Sequence, residues 1–381
     1  MIYFDHNATT PPAPPVIAAM LAVLSEQWAN ASSVHGPGQQ AKQVLNRSRS
    51  TVAQLLGCQP AEVIFTSGAT EANQLALRGL LAAAPVTRQR VLLSSIEHAA
   101  HLRLARSLQA SGVQVDLMPV LPSGALDLAA VKTLIRPDLA LVSLMAANNE
   151  TGVLMPLAEV AELAHAAGAL LHVDATQLIG KLPFDFARSG ADAVSLSAHK
   201  FHGPKGIGAL LLRLGLDLVA QLPGSQERGR RGGTENLPGI VGLAAALELL
   251  GDLEQEAARL RQLRDALENG LTRALPATRV WGQTVPRLPG TCCLRFGNLS
   301  ADVVLQRLER LGVAAASGAA CSAAGSQPSH VLSAMGVPAE QALAALRFSL
   351  GRSSTQAEVD ALLVGLPPLL AALLAPASAA V

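Results

Sequence analysis

The chain has 381 residues, half of them hydrophobic and 15% charged, with 29 Lys+Arg against 28 Asp+Glu for a net charge of +1. That is enough apolar chain for about two or three domains. The near-neutral balance excludes a basic nucleic-acid stripe and a highly charged disordered chain. The N-terminus, with Asp5 and His6, lacks a basic start followed by an apolar block, so no signal peptide is expected. The tail over 366–381 is broken by Pro367, Pro368 and Pro376, and leaves no clean run of the roughly 20 residues a spanning helix needs. Cys58, Cys292, Cys293 and Cys321 have the spacing of neither a disulfide framework nor a zinc site. A cytoplasmic protein without metal or membrane is expected, with at most one cysteine doing chemistry.

In chain order, a strand is predicted over 62–66 and a helix over 70–81. Further strands follow over 91–94, 113–118, 139–145, 169–173 and 193–196, with a helix over 157–167 that Gly168 stops. This alternation argues for an α/β domain with a mainly parallel sheet. Residues 197–205 are too few for a parallel crossover into the next run, 206–212, so that pair is expected to be antiparallel. An amphipathic helix over 253–267, with Leu253, Ala257, Leu260, Leu263 and Leu267 near one stripe, bridges into a smaller C-terminal domain. There 291–296 alternates as a strand, 303–310 and 339–346 read as helices, and the uncharged, small-residue segment 313–329 reads as a loop. Alternation puts Cys292 with Leu294 and Phe296 on the core face of 291–296, and Cys293 with Arg295 on the other.

Polar residues gather just past the ends of the predicted parallel strands, where ligands of open α/β sheets bind. Thr66-Ser67-Gly68-Ala69-Thr70-Glu71 leaves a strand and opens a helix, which suits an anion cradle or an ordinary helix cap. Glu97-His98 follows the next strand, and a lone His is more often structural. Asn148-Asn149-Glu150-Thr151-Gly152 serves a site or simply shapes a turn. Asp174 ends a buried strand, where an acid is costly unless compensated; it is a partner for a cation or a cap for the next helix. Ser197-Ala198-His199-Lys200 ends another strand, and Lys200 is one of only five lysines in the chain. Together, a phosphate cradle, an acid, a histidine and a lysine at one sheet edge are the set that pyridoxal 5'-phosphate needs.

With these pieces, the chain resembles the cysteine desulfurases of the class V aminotransferase family, within the fold-type I pyridoxal-phosphate enzymes. The likeness runs from Tyr3-Phe4-Asp5-His6-Asn7-Ala8-Thr9-Thr10-Pro11 to Arg347-Phe348-Ser349-Leu350-Gly351-Arg352. Its most specific parts are 65–73, 148–152, Asp174-Ala175-Thr176-Gln177, 195–208 and Ser317-Gly318-Ala319-Ala320-Cys321-Ser322, followed by Pro328-Ser329-His330-Val331-Leu332. It departs from the family at Ala31, where relatives commonly carry proline, and at Ala319, where serine often stands.

The resemblance implies a large domain with a mainly parallel, mixed seven-stranded sheet flanked by helices, plus a smaller α+β C-terminal domain. Residues 1–15 would form an arm packing with the small domain, 16–255 the large domain, and 256–381 the small domain carrying the Cys321 loop. Lys200 would carry the cofactor, and Asp174 would pair with its ring nitrogen. His98 would stack on the ring and help move protons, and Asn149 and Gln177 would flank the ring. Ala69, Thr70, Ser197 and His199 would hold the phosphate, with Thr234 reaching the site of the partner subunit in a homodimer. Arg347, with Asn149, would hold the substrate, and Cys321 would accept sulfur. The implied reaction turns L-cysteine into L-alanine and leaves a persulfide for an acceptor such as an iron–sulfur scaffold. An aminotransferase, a selenocysteine lyase and a non-catalytic assembly protein are the alternatives.

Overall fold

The computed structural model describes residues 1–318 and 327–374 in full, together with the backbone of Cys321–Ser322 and Gly325–Ser326. A short strand, β1 (Ile2–Tyr3), precedes two helices, α1 (Pro14–Glu26) and α2 (Gly36–Leu55). Strands and helices then alternate: β2 (Val63–Thr66), α3 (Ala69–Ala83), β3 (Arg90–Ser94), α4 (Ala99–Ala110), β4 (Gln114–Met118) and α5 (Leu128–Leu134). Next come β5 (Leu139–Met145), α6 (Leu157–Ala166), β6 (Leu170–Asp174), β7 (Ala193–Ser197) and β8 (Gly208–Leu212). Seven of these strands form one sheet in the order β2-β8-β7-β6-β5-β3-β4. All its pairings are parallel except those of β8, which runs antiparallel to β7 and β2. The short connection read from the sequence thus gives the expected antiparallel pair.

The sheet is covered on both faces, which is why its strands are apolar almost throughout. Val91, Leu93, Leu141 and Ile64 pack under α3 and α4 against Leu77, Leu80, Leu104 and Leu108. On the other face Leu92, Val142 and Val173 meet Leu45 and Val52 of α2, Val160 of α6, and Ile240 and Leu243 of α7 (Leu237–Glu248). Gly168, just past α6, has φ +70, the left-handed conformation that a stop glycine supplies.

A second sheet follows α8 (Leu253–Ala274), which runs about two turns beyond the expected 267. The elements that come after α8 are β9 (Thr278–Trp281), β10 (Thr291–Phe296), α9 (Ala301–Arg310), β11 (Val313–Ala314), β12 (Ala316–Ser317), β13 (Cys321–Ser322) and β14 (Gly325–Ser326). The chain continues with α10 (His330–Ala334), α11 (Ala339–Leu343), β15 (Leu346–Ser349) and α12 (Gln356–Leu374). Strands β12, β15, β10 and β9 make an antiparallel sheet in that order, and β1 pairs in parallel with β11. Cys292, Leu294 and Phe296 share a core with Leu260, Leu263, Leu267 and Leu271 of α8 and with Val359, Leu362, Leu366 and Leu370 of α12. Cys293 on the opposite face is equally buried and belongs to the core of the main sheet.

Three expectations are corrected. Residues 339–346 are not one helix: α11 stops at Leu343, and β15 takes Leu346 as the central strand between β10 and β12. Tertiary pairing there overrides an ambiguous apolar run. The segment 313–329 is not all loop, since it contains four short strands. Pro367 and Pro368 do not end α12, because its apolar stripe is anchored in the core on both sides of them. That helix has the length and hydropathy of a membrane span by composition, yet one face is packed into the second core.

Candidate active site

The carboxyl ends of β3, β5, β6 and β7 and the N-terminus of α3 surround a cavity of about 440 Å³. Ala69, Thr70, His98, Asn149, Asp174, Gln177, Ser197, His199 and Lys200 all line it. Thr234 lies in a neighbouring cavity shared with Ser67 and Gly206, and is exposed. Arg347 lines an adjoining cavity that also contains His98 and Asn149. The side chain of Cys321 lies outside the described residues, as does Ala319; the backbone of Cys321 pairs with Ser326 in a short hairpin.

At one end of the cavity α3 begins without a side-chain cap. Its first N–H groups and partial positive charge are therefore available to an anion. Gly68 enters the helix at φ +155, and Gly208 of β8 crosses directly behind it. A Cβ on Gly208 would sit 2.7 Å from the Gly68 Cα and 2.4 Å from the Leu196 oxygen. Only glycine allows that approach.

At the other end Asp174 is 6% exposed. Burial raises its pKa, but the Thr176 hydrogen bonds, the His101 ring and the Asn73 amide outweigh it and hold the carboxyl below its usual range. Asn73 Nδ2 donates to Oδ2 at 2.7 Å and the Thr176 N–H to Oδ1 at 3.0 Å. Behind it runs a fully buried polar chain. Glu97 and His101 are 3.2 Å apart, Ser143 lies 3.4 Å from His101 and 2.8 Å from His172, and His172 lies 2.8 Å from Ser195. Burial pushes His172 down to about 3, so its ring is neutral.

Lys200 sits between, on the single turn after β7. Its Nζ donates to the carbonyls of Asn7 and Ala8 at 2.7 and 2.8 Å. Burial, then the nearby Arg347 cation, lowers its pKa to about 8 against the pull of Asp174 and Asp5. His98 caps α4, its Nδ1 accepting the Ala100 N–H at 3.3 Å. Its pKa is lowered by burial and by Lys200, over the opposing effect of Asp174. The neutral ring therefore carries its proton on Nε2.

Sequence reasoning missed the residues that tie this site together. Asn7 accepts from Lys181 Nζ at 2.6 Å, and its Nδ2 donates to Thr291 Oγ1 at 3.0 Å and to the Asn149 carbonyl at 3.2 Å. The Asn7 carbonyl also takes Gln177 Nε2 at 2.9 Å. Lys181 further donates to Gln177 Oε1 at 2.5 Å; burial and the Lys200 cation push its pKa well down. Asn73 had a findable signal, one helical turn after Thr70 on the same face. Asn7 had none beyond its place in the opening motif.

The Aminotransferase class-V family model matches residues 2–362. A cysteine desulfurase of Cereibacter sphaeroides is 47% identical over 371 residues, 97% of this chain and 95% of that protein. A solved NifS-like protein superposes with a TM-score of 0.90 at 35% identity, covering 97% of this chain and 99% of its own. A structure described as SspA in complex with cysteine has a TM-score of 0.82 at 32% identity, with 92% and 99% covered. The chain thus belongs to the class-V aminotransferase family, among its cysteine desulfurases.

Proposed function

We propose that this protein takes sulfur from L-cysteine with pyridoxal 5'-phosphate, releasing L-alanine and holding the sulfur on Cys321 as a persulfide. The observation that carries the reading is the convergence of Lys200, Asp174 and the uncapped start of α3 on one cavity. The residues fit the cofactor: the α3 N-terminus with Thr70, Ser197 and His199 suits a phosphate, and Asp174 is an anion where a protonated ring nitrogen needs one. Lys200 stands at the same cavity, with an amine far easier to deprotonate than an ordinary lysine.

When bound, pyridoxal phosphate supplies a ring that withdraws electrons from the α carbon of an amino acid. Asp174 keeps a proton on the ring nitrogen. Lys200, neutral above about pH 8, removes the substrate's α proton. His98 holds a proton on Nε2 and Asn149 and Gln177 restrain the ring's edge. Arg347 holds the substrate carboxylate with a guanidinium buried beside Asn149. The Cys321 thiolate attacks the substrate sulfur: an S–S bond forms, the Cβ–S bond breaks, and the electron pair stays with the carbon fragment, which takes up one proton at Cβ and regains its α proton from Lys200 to become alanine. Cys58 is a poor rival, since burial, then Glu62 and Asp185, raise its thiol to about 12.

The same reading divides the chain into an arm (1–15), a large domain (16–255) and a small domain (256–381), and makes the enzyme a homodimer. Support for the dimer comes from α1, whose Ile17, Leu21 and Leu24 are 54%, 63% and 59% exposed in one stripe, and from the exposed Thr234. A cytoplasmic setting suits the free thiols of Cys58, Cys292 and Cys293. An iron–sulfur scaffold is the proposed acceptor. Purified holoenzyme given L-cysteine and a thiol reductant is expected to release alanine and sulfide in equal amounts. Pyruvate, or a keto acid exchanged for an amino acid, would indicate a lyase or aminotransferase.

A further inference from the structure

Arg347, the residue assigned to the substrate's carboxylate, already holds a carboxylate of the chain. It stands on β15, 8% exposed, and its Nη2 donates to Asp5 Oδ1 at 2.7 Å. Its Nη1 donates to the Asn149 carbonyl at 3.0 Å, and its Nε is buried with no partner. A guanidinium has five N–H groups. With Nε out of reach, an incoming carboxylate is left with the second hydrogens of Nη1 and Nη2, the nitrogens already in use. It must therefore bind beside Asp5.

Asp5 is not locked in place. Its side chain is 21% exposed. Among the described residues, no other group donates to its carboxylate. The arm fixes only its backbone, through a bridge to Ser349 and the Ala8 N–H on its carbonyl.

We propose that Asp5 is a resident counter-carboxylate that sets the affinity of the substrate site for carboxylates. It keeps Arg347 paired and aimed while no substrate is bound, and repels the carboxylate that arrives. Two anions sharing one guanidinium about 5 Å apart, at an effective dielectric of about 40 to 80, weaken binding roughly four- to twentyfold. The product L-alanine carries the same carboxylate, so the device also speeds its release. The inference rests on Arg347 being the carboxylate site.

Asp5→Asn tests it, because Asn keeps the acceptor oxygen and the size while removing the charge. Propionate, which has the carboxylate and no amine, is titrated into the holoenzyme by calorimetry, alongside L-cysteine kinetics at low and high salt. Asp5→Asn is expected to bind propionate roughly four- to twentyfold more tightly and, at a pH well above 8 where Lys200 is neutral in both enzymes, to lower KM for L-cysteine by a similar factor without raising kcat. The gap should narrow at high salt, and cysteamine, which lacks a carboxylate, should show no such change. Asp5→Ser is expected to tighten propionate in the same direction if the Asn variant folds poorly. Unchanged or weaker propionate binding in a folded variant overturns the proposal. If Arg347→Ala binds propionate as well as wild type, the assignment of Arg347 itself fails instead.

Discussion

At the scale of single residues, the proposed chemistry depends most on Lys200. Its pKa, lowered to about 8 chiefly by burial, favours the neutral amine in the folded protein, so reactivity switches on as pH rises through about 8. In cofactor-free enzyme, competitive acetylation of Lys200 is expected to rise with a midpoint near that value, where an ordinary lysine titrates at about 10.4. A midpoint at the ordinary value contradicts the assigned environment. Borohydride should trap the cofactor on the Lys200 peptide and not on Lys181 or Lys205. Asp174→Asn keeps hydrogen-bonding capacity but loses the anion. The cofactor should still be trapped on Lys200, while alanine formation falls about a hundredfold or more; unchanged turnover would refute the role. Both residues were legible in the sequence because a charged side chain ending a buried strand needs a reason. Asp5, Asn7 and Lys181 were not legible as a group. Apart from Lys181 to Gln177, the contacts that place them in the site join positions 142 to 342 residues apart, and nothing local marks them.

Among the elements, the start of α3 and the β7–β8 hairpin matter most. Gly208 passes so close to Gly68 that any side chain must move backbone. Gly208→Ala is expected to cost about 1–3 kcal/mol, read by urea denaturation, and to weaken cofactor binding in parallel. A variant that holds the cofactor normally would show that this packing does not set the cradle. The main sheet was readable because parallel crossovers leave a plain rhythm of apolar runs and amphipathic helices. Its strands lie within a residue or two of expectation, as at β5 and β7. The second sheet was less readable. Its strand β12, and β11 just before it in the chain, are two residues each and exist through distant partners, β15 and Ile2–Tyr3. Similarly, α12 continues through two prolines because packing against α8 outweighs the lost backbone hydrogen bonds.

Over the whole molecule, the site joins three parts of the chain. The main sheet presents Lys200 and Asp174, the second sheet presents Arg347, and the N-terminal residues Asp5 and Asn7 connect them. The exposed apolar stripe of α1 and the position of Thr234 are consistent with a two-fold assembly. Sedimentation is expected to give a dimer, and Thr234→Ala to loosen cofactor binding without changing the Lys200 adduct. A monomer that stays fully active at high dilution would refute the shared site.

The central claim is that ring chemistry at Lys200 delivers sulfur to Cys321, and mass spectrometry of the Cys321 peptide after L-cysteine tests it directly. Wild-type enzyme is expected to carry one added sulfur on Cys321 and to release alanine. Cys321→Ser, which keeps the cofactor and nearly the same volume, is expected to bind L-cysteine, gain no sulfur and release almost no alanine, because a hydroxyl cannot match a thiolate as nucleophile. Alanine release by that variant at the wild-type rate, or added sulfur on Cys58, would contradict it.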